Sequence, residues 1–411
     1  MMRFFLLILS IVIFSSNIQA SQKRKVLIIG IGGVRSDALQ QANTPNIDAL
    51  TANGFYTYES WHRGITSPAP AYSTIMCGVE YDKHGVTSNT YAGSNYNTYP
   101  YFPTLAKSCL PNLYCVQIVQ WAPMSDNLYN DGWNNKIKVQ YGIGSQSISA
   151  AQTQLANSNL DLLFVAFEEA DIAGHSTGFS PVNASYISAI ETVDGEIGTI
   201  ITALHNRANY ANEDWIILLT TDSGGIGTGH GGNSDQERLI WWIGSGNTFV
   251  SKQLTNVTDP GSVSIGNYNA TIGAESPGQY DIAVTALDHL LRGSSCSPTI
   301  NPSWNLDGRS WLDSLHQEVT GIISPASKTM EVKVFPNPAT NIVSLWFENE
   351  HNETISYRVL DIAGKLICEN TTNYNLSKNK LNIDLSKYPK GIYFIELTIG
   401  SNKISKKIIL D

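Results

Sequence analysis

The chain has 411 residues, 42% hydrophobic and 15% charged, with 26 Lys and Arg against 35 Asp and Glu for a formal net charge of −9. That length exceeds one ordinary core and predicts a large domain joined to a smaller one. The acidic balance, with no basic stripe to neutralise phosphates, argues against nucleic acid as a partner. Residues 1–20, MMRFFLLILSIVIFSSNIQA, set Arg3 before an apolar run and end at Ala20, the pattern of a cleaved secretory signal. The run is too short to span a bilayer, so no transmembrane segment is expected in the mature protein. Cleavage removes one basic residue, and 25 against 35 leaves −10.

From residue 25 onward, strand-like apolar runs alternate with helical patterns. VLIIGI is followed by SDALQQA and then by TPNIDALTANG, where Thr44 and Pro45 form a helix start and Gly54 a stop. LYCVQIVQW, DLLFVAFEE and DWIILLTTD are continuous apolar runs of the kind that strands make when both faces are buried. The intervening stretch SPVNASYISAIETVDGEIGTIITALHNRA reads as a helix, and the alternation predicts an α/β layered domain over 25–317 with a central, mostly parallel sheet. The segment 91–135, rich in Tyr, Asn, Pro and Trp, reads either as a cap over the carboxyl ends of the strands or as an irregular surface insertion. Five cysteines do not make a dense framework; Cys109 and Cys115, six apart, either close a small disulfide loop or are two buried thiols. Residues 318–331 read as a linker, and 332–411, with short alternating strands and turns at Asn-Pro, Ala-Gly and Gly-Ser-Asn, as a small all-β sandwich.

The chemistry gathers in three stretches. TTDSGGIGTGHGG (220–232) brings Asp222 off a buried strand into a glycine-rich loop, with His230 eight residues on. DLLFVAFEEADIAGHSTGFSP places Asp171 and His175 four apart beyond another strand, a spacing that lets both side chains face one ion. TSPAPAYSTIMCGVEYDKHGV (66–86) reads as a turn into a helix followed by a Lys-His-Gly loop. The order of these blocks, with TPNIDAL and LDGRSWL, resembles the alkaline phosphatase superfamily, most closely its type I phosphodiesterase and nucleotide pyrophosphatase branch.

The resemblance implies an in-line displacement assisted by two zinc ions, with a Thr or Ser nucleophile. It assigns Asp171, His175 and His230 to one ion. For the other it requires an Asp at the first strand tip and an Asp-His pair, of which this chain keeps only Asp222: Gly32 stands at the strand tip and Ser223 at the histidine. The nucleophile position, sixteen residues before His84, is Pro68, which has no hydroxyl; Ser67 and Thr66 beside it are the weak candidates for rescue. One carboxylate does not hold zinc, which usually takes three or four protein ligands. One zinc is therefore expected and a second is not. The expected function is a catalytically impaired or inactive hydrolase homologue that binds a phosphorylated or sulfated ligand. The alternatives are an active single-zinc phosphoester hydrolase whose nucleophile is metal-bound hydroxide, and a purely structural surface module.

Other residues carry weaker signals. Gly224, Gly225, Gly231 and Gly232 permit tight turns or a close approach to phosphate. His84 reads as a structural loop residue and Arg238 as solvated or salt-bridged. Trp61, Trp121, Trp133, Trp241 and Trp242 read mostly as core, with Trp121 and Trp133 placed to stack on a sugar or base. The tail, with VFPNPATNIVSLWF, VLDIAGKLI, YPKGIYFIEL and terminal lysines, resembles a type A sorting domain of the type IX secretion system. That resemblance implies the type IX secretion machinery as a partner and a secreted or outer-surface location.

Overall fold

The computed structural model describes residues 22–127, 132–246, 249, 251–292, 294, 301–315, 332–347, 354–361, 365–373, 379–399 and 402–411. The secretory signal expected at 1–20 and the linker expected at 318–331 lie outside the described residues. The chain divides into two compact units, Met1–Glu318 and Val319–Asp411.

The first unit is built on eight strands: β1 (Lys23–Ile31), β2 (Gly54–Trp61), β3 (Tyr114–Val119), β4 (Asn135–Lys138), β5 (Leu160–Phe167), β6 (Glu213–Thr220), β7 (Leu239–Gly246) and β8 (Lys252–Gln253). They form one sheet in the order β4-β3-β5-β1-β6-β7-β2-β8. β1 is parallel to both β5 and β6, and β3 to β4 and β5, while β7 runs antiparallel to β6 and β2. This is the layered, mostly parallel α/β architecture that the alternating runs predict.

The strands read as unbroken apolar runs because helices cover both faces. From β1, Val26 and Ile28 enter one core with the helices Pro68–Cys77, Phe102–Cys109 and Tyr280–Leu291. Leu27, Ile29 and Ile31 enter the other, with the helices Ser36–Gln41, Pro45–Thr51, Gly144–Leu155 and Ala184–His205. The 22-residue helix Ala184–His205 starts where the Asn183 side chain accepts from the Ser185 N–H, one of the donors a helix start leaves free.

The described residues of the segment 91–135 are not merely an irregular surface insertion. It supplies the helix Phe102–Cys109 and strand β3, and Tyr101, Phe102 and Ala106 are fully buried. Its described aromatic residues Tyr96, Tyr101, Phe102, Trp121 and Trp133 pack into or against the core. Cys115 is a free, buried thiol while Cys109 is disulfide-bonded, so the two are not a pair.

At the amino ends of the central strands lies a buried ionic cluster. Lys25 Nζ of β1, with no exposed surface, is 3.2 Å from Asp161 Oδ1 of β5 and 3.5 Å from Glu213 Oε1 of β6. Glu213 also accepts from Arg207 Nε and Trp215 Nε1, each at 2.8 Å. Opposite charges on three neighbouring strands thus satisfy one another where burial alone would be costly.

The second unit holds β9 (Val332–Phe335), β10 (Ile342–Phe347), β11 (Thr354–Asp361), β12 (Leu366–Asn373), β13 (Asn379–Asp384), β14 (Gly391–Ile399) and β15 (Asn402–Leu410). They form antiparallel sheets in the orders β13-β10-β9 and β12-β11-β14-β15. Val343, Leu345, Val359, Leu381, Ile395, Leu397 and Ile408, drawn from both sheets, share one core.

Candidate metal centre

The chemistry-bearing residues meet at the carboxyl ends of β1, β5 and β6. β5 runs through Glu168 into the helix Glu169–Thr177, whose first turn holds Asp171 and whose last holds His175. Four residues apart on one helix, both lie on the same face. β6 runs through Thr221 into Asp222 and the loop bearing His230. That loop is tied down at both flanks. Thr66 Oγ1 donates to Gly232 O at 2.7 Å, and Glu237 accepts from the Gly232 and Ser234 N–H groups at 2.6 and 3.0 Å.

Asp171, His175 and His230 converge, with one ligand atom from each lying within 4.8 Å of the others. His175 Nε2 is 3.5 Å from Asp171 Oδ2, His230 Nε2 is 3.3 Å from Asp171 Oδ1, and the two Nε2 atoms are 3.2 Å apart. The other ring nitrogens fix the tautomers. His175 Nδ1 is 2.8 Å from Thr228 O and His230 Nδ1 is 3.2 Å from Thr66 O, and a carbonyl only accepts, so each Nδ1 carries the proton. Both Nε2 atoms are then free to accept, and they lie with the buried Asp171 carboxylate in one cluster. Three such atoms within 4.8 Å of one another fit a divalent cation, and the carboxylate with two imidazoles is a zinc-type donor set. Phe179 packs edge-on against both rings, at 5.2 Å from His175 and 6.0 Å from His230, and limits their rotation.

Without a cation the cluster must hold a proton. Burial disfavours charge on His230, but the hydrogen bond and charge of Asp171 and the charge of Asp222 outweigh it and raise its pKa to about 9. The same crowding, with burial first and the Asp171 charge second, lifts Asp222 to about 6.

The other half of the site has a different character. Asp222 Oδ1 accepts from the Gly33 N–H at 2.9 Å and the Ser223 N–H at 2.7 Å, while Oδ2 has no partner. Ser223 is fully buried and its Oγ is likewise unpartnered. Gly33 turns at φ +67, and a Cβ there would lie 2.8 Å from the Asp171 Cα, so only glycine suits this turn. At Gly32 a Cβ would collide with the Glu168 carboxylate. Pro68 is the first residue of the helix Pro68–Cys77, with Ser67 extended before it at φ −128. Ser67 Oγ points toward the His230 loop, 3.4 Å from where a Cβ on Gly231 would sit, whereas the Thr66 hydroxyl is committed to Gly232.

The remaining residues are structural. His84 is buried between Thr74 Oγ1 and the Val86 N–H, at 3.1 Å from each. Arg238 grips Asp259 through two hydrogen bonds of 2.7 and 2.8 Å and lies over Trp61. Trp241 and Trp242 are fully buried, Trp121 stacks on Tyr91 and Trp133 packs against Phe164. Sequence reasoning missed Glu168, Phe179 and the carbonyls of Thr66 and Thr228. Of these only Glu168 left a signal: a carboxylate ending a fully buried strand, three residues before Asp171.

The profile of the family described as type I phosphodiesterase / nucleotide pyrophosphatase matches residues 26–114 and 114–299. That of the secretion system C-terminal sorting domain matches residues 333–411. Human ectonucleotide pyrophosphatase/phosphodiesterase family member 7 is 23% identical over 233 residues, 50% of this chain and 48% of its own. The chain thus spans about half the length of that curated relative. Among solved structures, one from Bacteroides thetaiotaomicron assigned to the sulfatases aligns with TM-score 0.52 at 13% identity, over 89% of this chain and 86% of that one. A 2-O GAG sulfatase aligns with TM-score 0.50 at 12% identity, over the same shares. At such identities the likeness shows the fold alone.

Proposed function

Since the chain belongs to the type I phosphodiesterase / nucleotide pyrophosphatase family of the alkaline phosphatase superfamily and carries a secretion sorting domain, we propose that it is an exported, catalytically impaired homologue. It keeps one zinc site and uses it to bind a phosphorylated or sulfated ligand. The observation that carries this is the contrast between the two halves of the site. Asp171, His175 and His230 present three converging acceptors, while the nucleophile position is Pro68, fixed at a helix start with no hydroxyl to offer. Zinc bound there would supply positive charge and Lewis acidity toward an anion. The protein's part is to orient: Thr228 and Thr66 hold the imidazoles by their Nδ1 protons, and Phe179 walls the inner side. Through its sorting domain the chain engages the type IX secretion machinery, consistent with a secreted or cell-surface location. No helix among the described residues is long and apolar enough to cross a membrane.

A second reading, a working single-zinc hydrolase, has one observation in its favour: the His175 side chain is 44% exposed, so water reaches the outer side of the site. Turnover of bis(p-nitrophenyl) phosphate by the purified mature protein with added zinc separates the two. No turnover above the background rate is expected, with one zinc per chain that is lost in His175→Ala and His230→Ala. Turnover that a chelator abolishes would replace the first reading with the second.

A further inference from the structure

We propose that Glu168 has taken the place of the carboxylate that Gly32 lacks, and that Glu168, Asp222 and the Ser223 hydroxyl form an all-oxygen site for a hard divalent cation. β5 lies beside β1, with Phe167 opposite Ile31 and the Gly32 N–H bonded to Phe167 O at 2.8 Å. Glu168 therefore leaves its strand directly alongside the tip of β1. Its Oε2 lies within the space that a side chain on Gly32 would fill. A carboxylate reaches this corner from β5 where none comes from β1.

Four oxygens of residues near this corner, with Glu168, Asp222 and Tyr72 close enough to feel one another's charge, are buried without a hydrogen-bond partner: Glu168 Oε1, Asp222 Oδ2, Ser223 Oγ and the Tyr72 hydroxyl. Glu168 is 2% exposed, Asp222 1%, and Ser223 and Tyr72 not at all. No Lys or Arg among the described residues pairs with Glu168 or Asp222. Two neighbouring carboxyl groups and two unpaired hydroxyls in the interior cost less when a cation satisfies them. The donor set decides which cation. With the histidine replaced by Ser223, the corner offers oxygen only, which suits Mg, Mn or Ca; zinc is better served by the imidazoles of the neighbouring site. One or two carboxylates completed by water suffice for Mg.

The inference adjoins the proposed zinc site but shares none of its three ligands, so the two fail separately. The test uses the full mature protein preloaded with zinc and titrated with Mn²⁺, the loss of the free Mn²⁺ electron paramagnetic resonance signal counting bound ions. One Mn²⁺ per chain is expected. Glu168→Gln and Asp222→Asn should each weaken it at least tenfold while zinc content stays unchanged, which also shows that the variants fold. Mn²⁺ bound with no zinc retained would overturn the zinc reading alone. No Mn²⁺ binding, or binding in Glu168→Gln equal to that of the natural protein, would overturn this one.

Discussion

Zinc entering the site of Asp171, His175 and His230 must displace a proton, and the number displaced tests the geometry directly. In the metal-free protein His230 titrates at about 9, against about 6.5 for an ordinary histidine. That difference is worth about 3.5 kcal/mol at ~1.4 kcal/mol per pH unit. Near pH 7 His230 is then almost wholly protonated, so binding releases about one proton, and apparent zinc affinity rises about tenfold per pH unit until about pH 9. Because the folded pKa is raised, the stability gained from this proton is complete below about pH 6.5 and is lost as the pH rises through about 9. The melting temperature of the metal-free protein should therefore fall by several degrees across that window, and that of the zinc-loaded protein should not. Calorimetric titration of zinc in two buffers of different ionisation heat counts the protons. Release of less than about half a proton near pH 7, or an affinity independent of pH, would refute the account of His230 as the protonated partner of Asp171.

Other outcomes follow from single contacts. Asp171→Asn leaves both imidazoles but removes the anionic ligand, and zinc retention after dialysis should fall to background by mass spectrometry. Phe179→Ala should cost about 3–5 kcal/mol in denaturant melts and also weaken zinc, because the rings it braces gain rotational freedom. Lys25→Met leaves Asp161 and Glu213 short of a partner and should destabilise the first unit by about 3–5 kcal/mol, with zinc affinity unchanged. In the tail, Leu345→Ala should lower the stability of the second unit by about 2–5 kcal/mol, read from that unit's own unfolding transition.

Much of this architecture is legible in the sequence because it repeats along it. Strand runs such as DLLFVAFEE and the tail's alternating strands announce their own burial, and Asp171 and His175 share a helix face by spacing alone. What escapes is what depends on distant partners. The mix of aromatic and polar residues in Tyr91 to Asn135 reads as a cap or a surface insertion, yet strand pairing with β5 draws its middle into the core. Nothing in the sequence around Lys25 announces that Asp161 and Glu213 arrive beside it from two other strands. Glu168 reads as the polar end of a buried run, and its meaning depends on the absent side chain of Gly32, a residue over a hundred positions away.

The ionic cluster at the opposite end of the sheet has a kinetic consequence. Strands β1, β5 and β6 each begin at or near a member of that cluster, and each ends beside the Asp171, His175 and His230 group, so their two ends are secured by different means. The amino ends are fastened permanently by Lys25, Asp161, Glu213 and Arg207. The carboxyl ends are fastened by whatever cation or proton the site holds. Amide hydrogens along these strands should then exchange with solvent deuterium on a gradient in the metal-free protein, slowest near Lys25 and fastest near Ile31, and zinc should flatten it from one end.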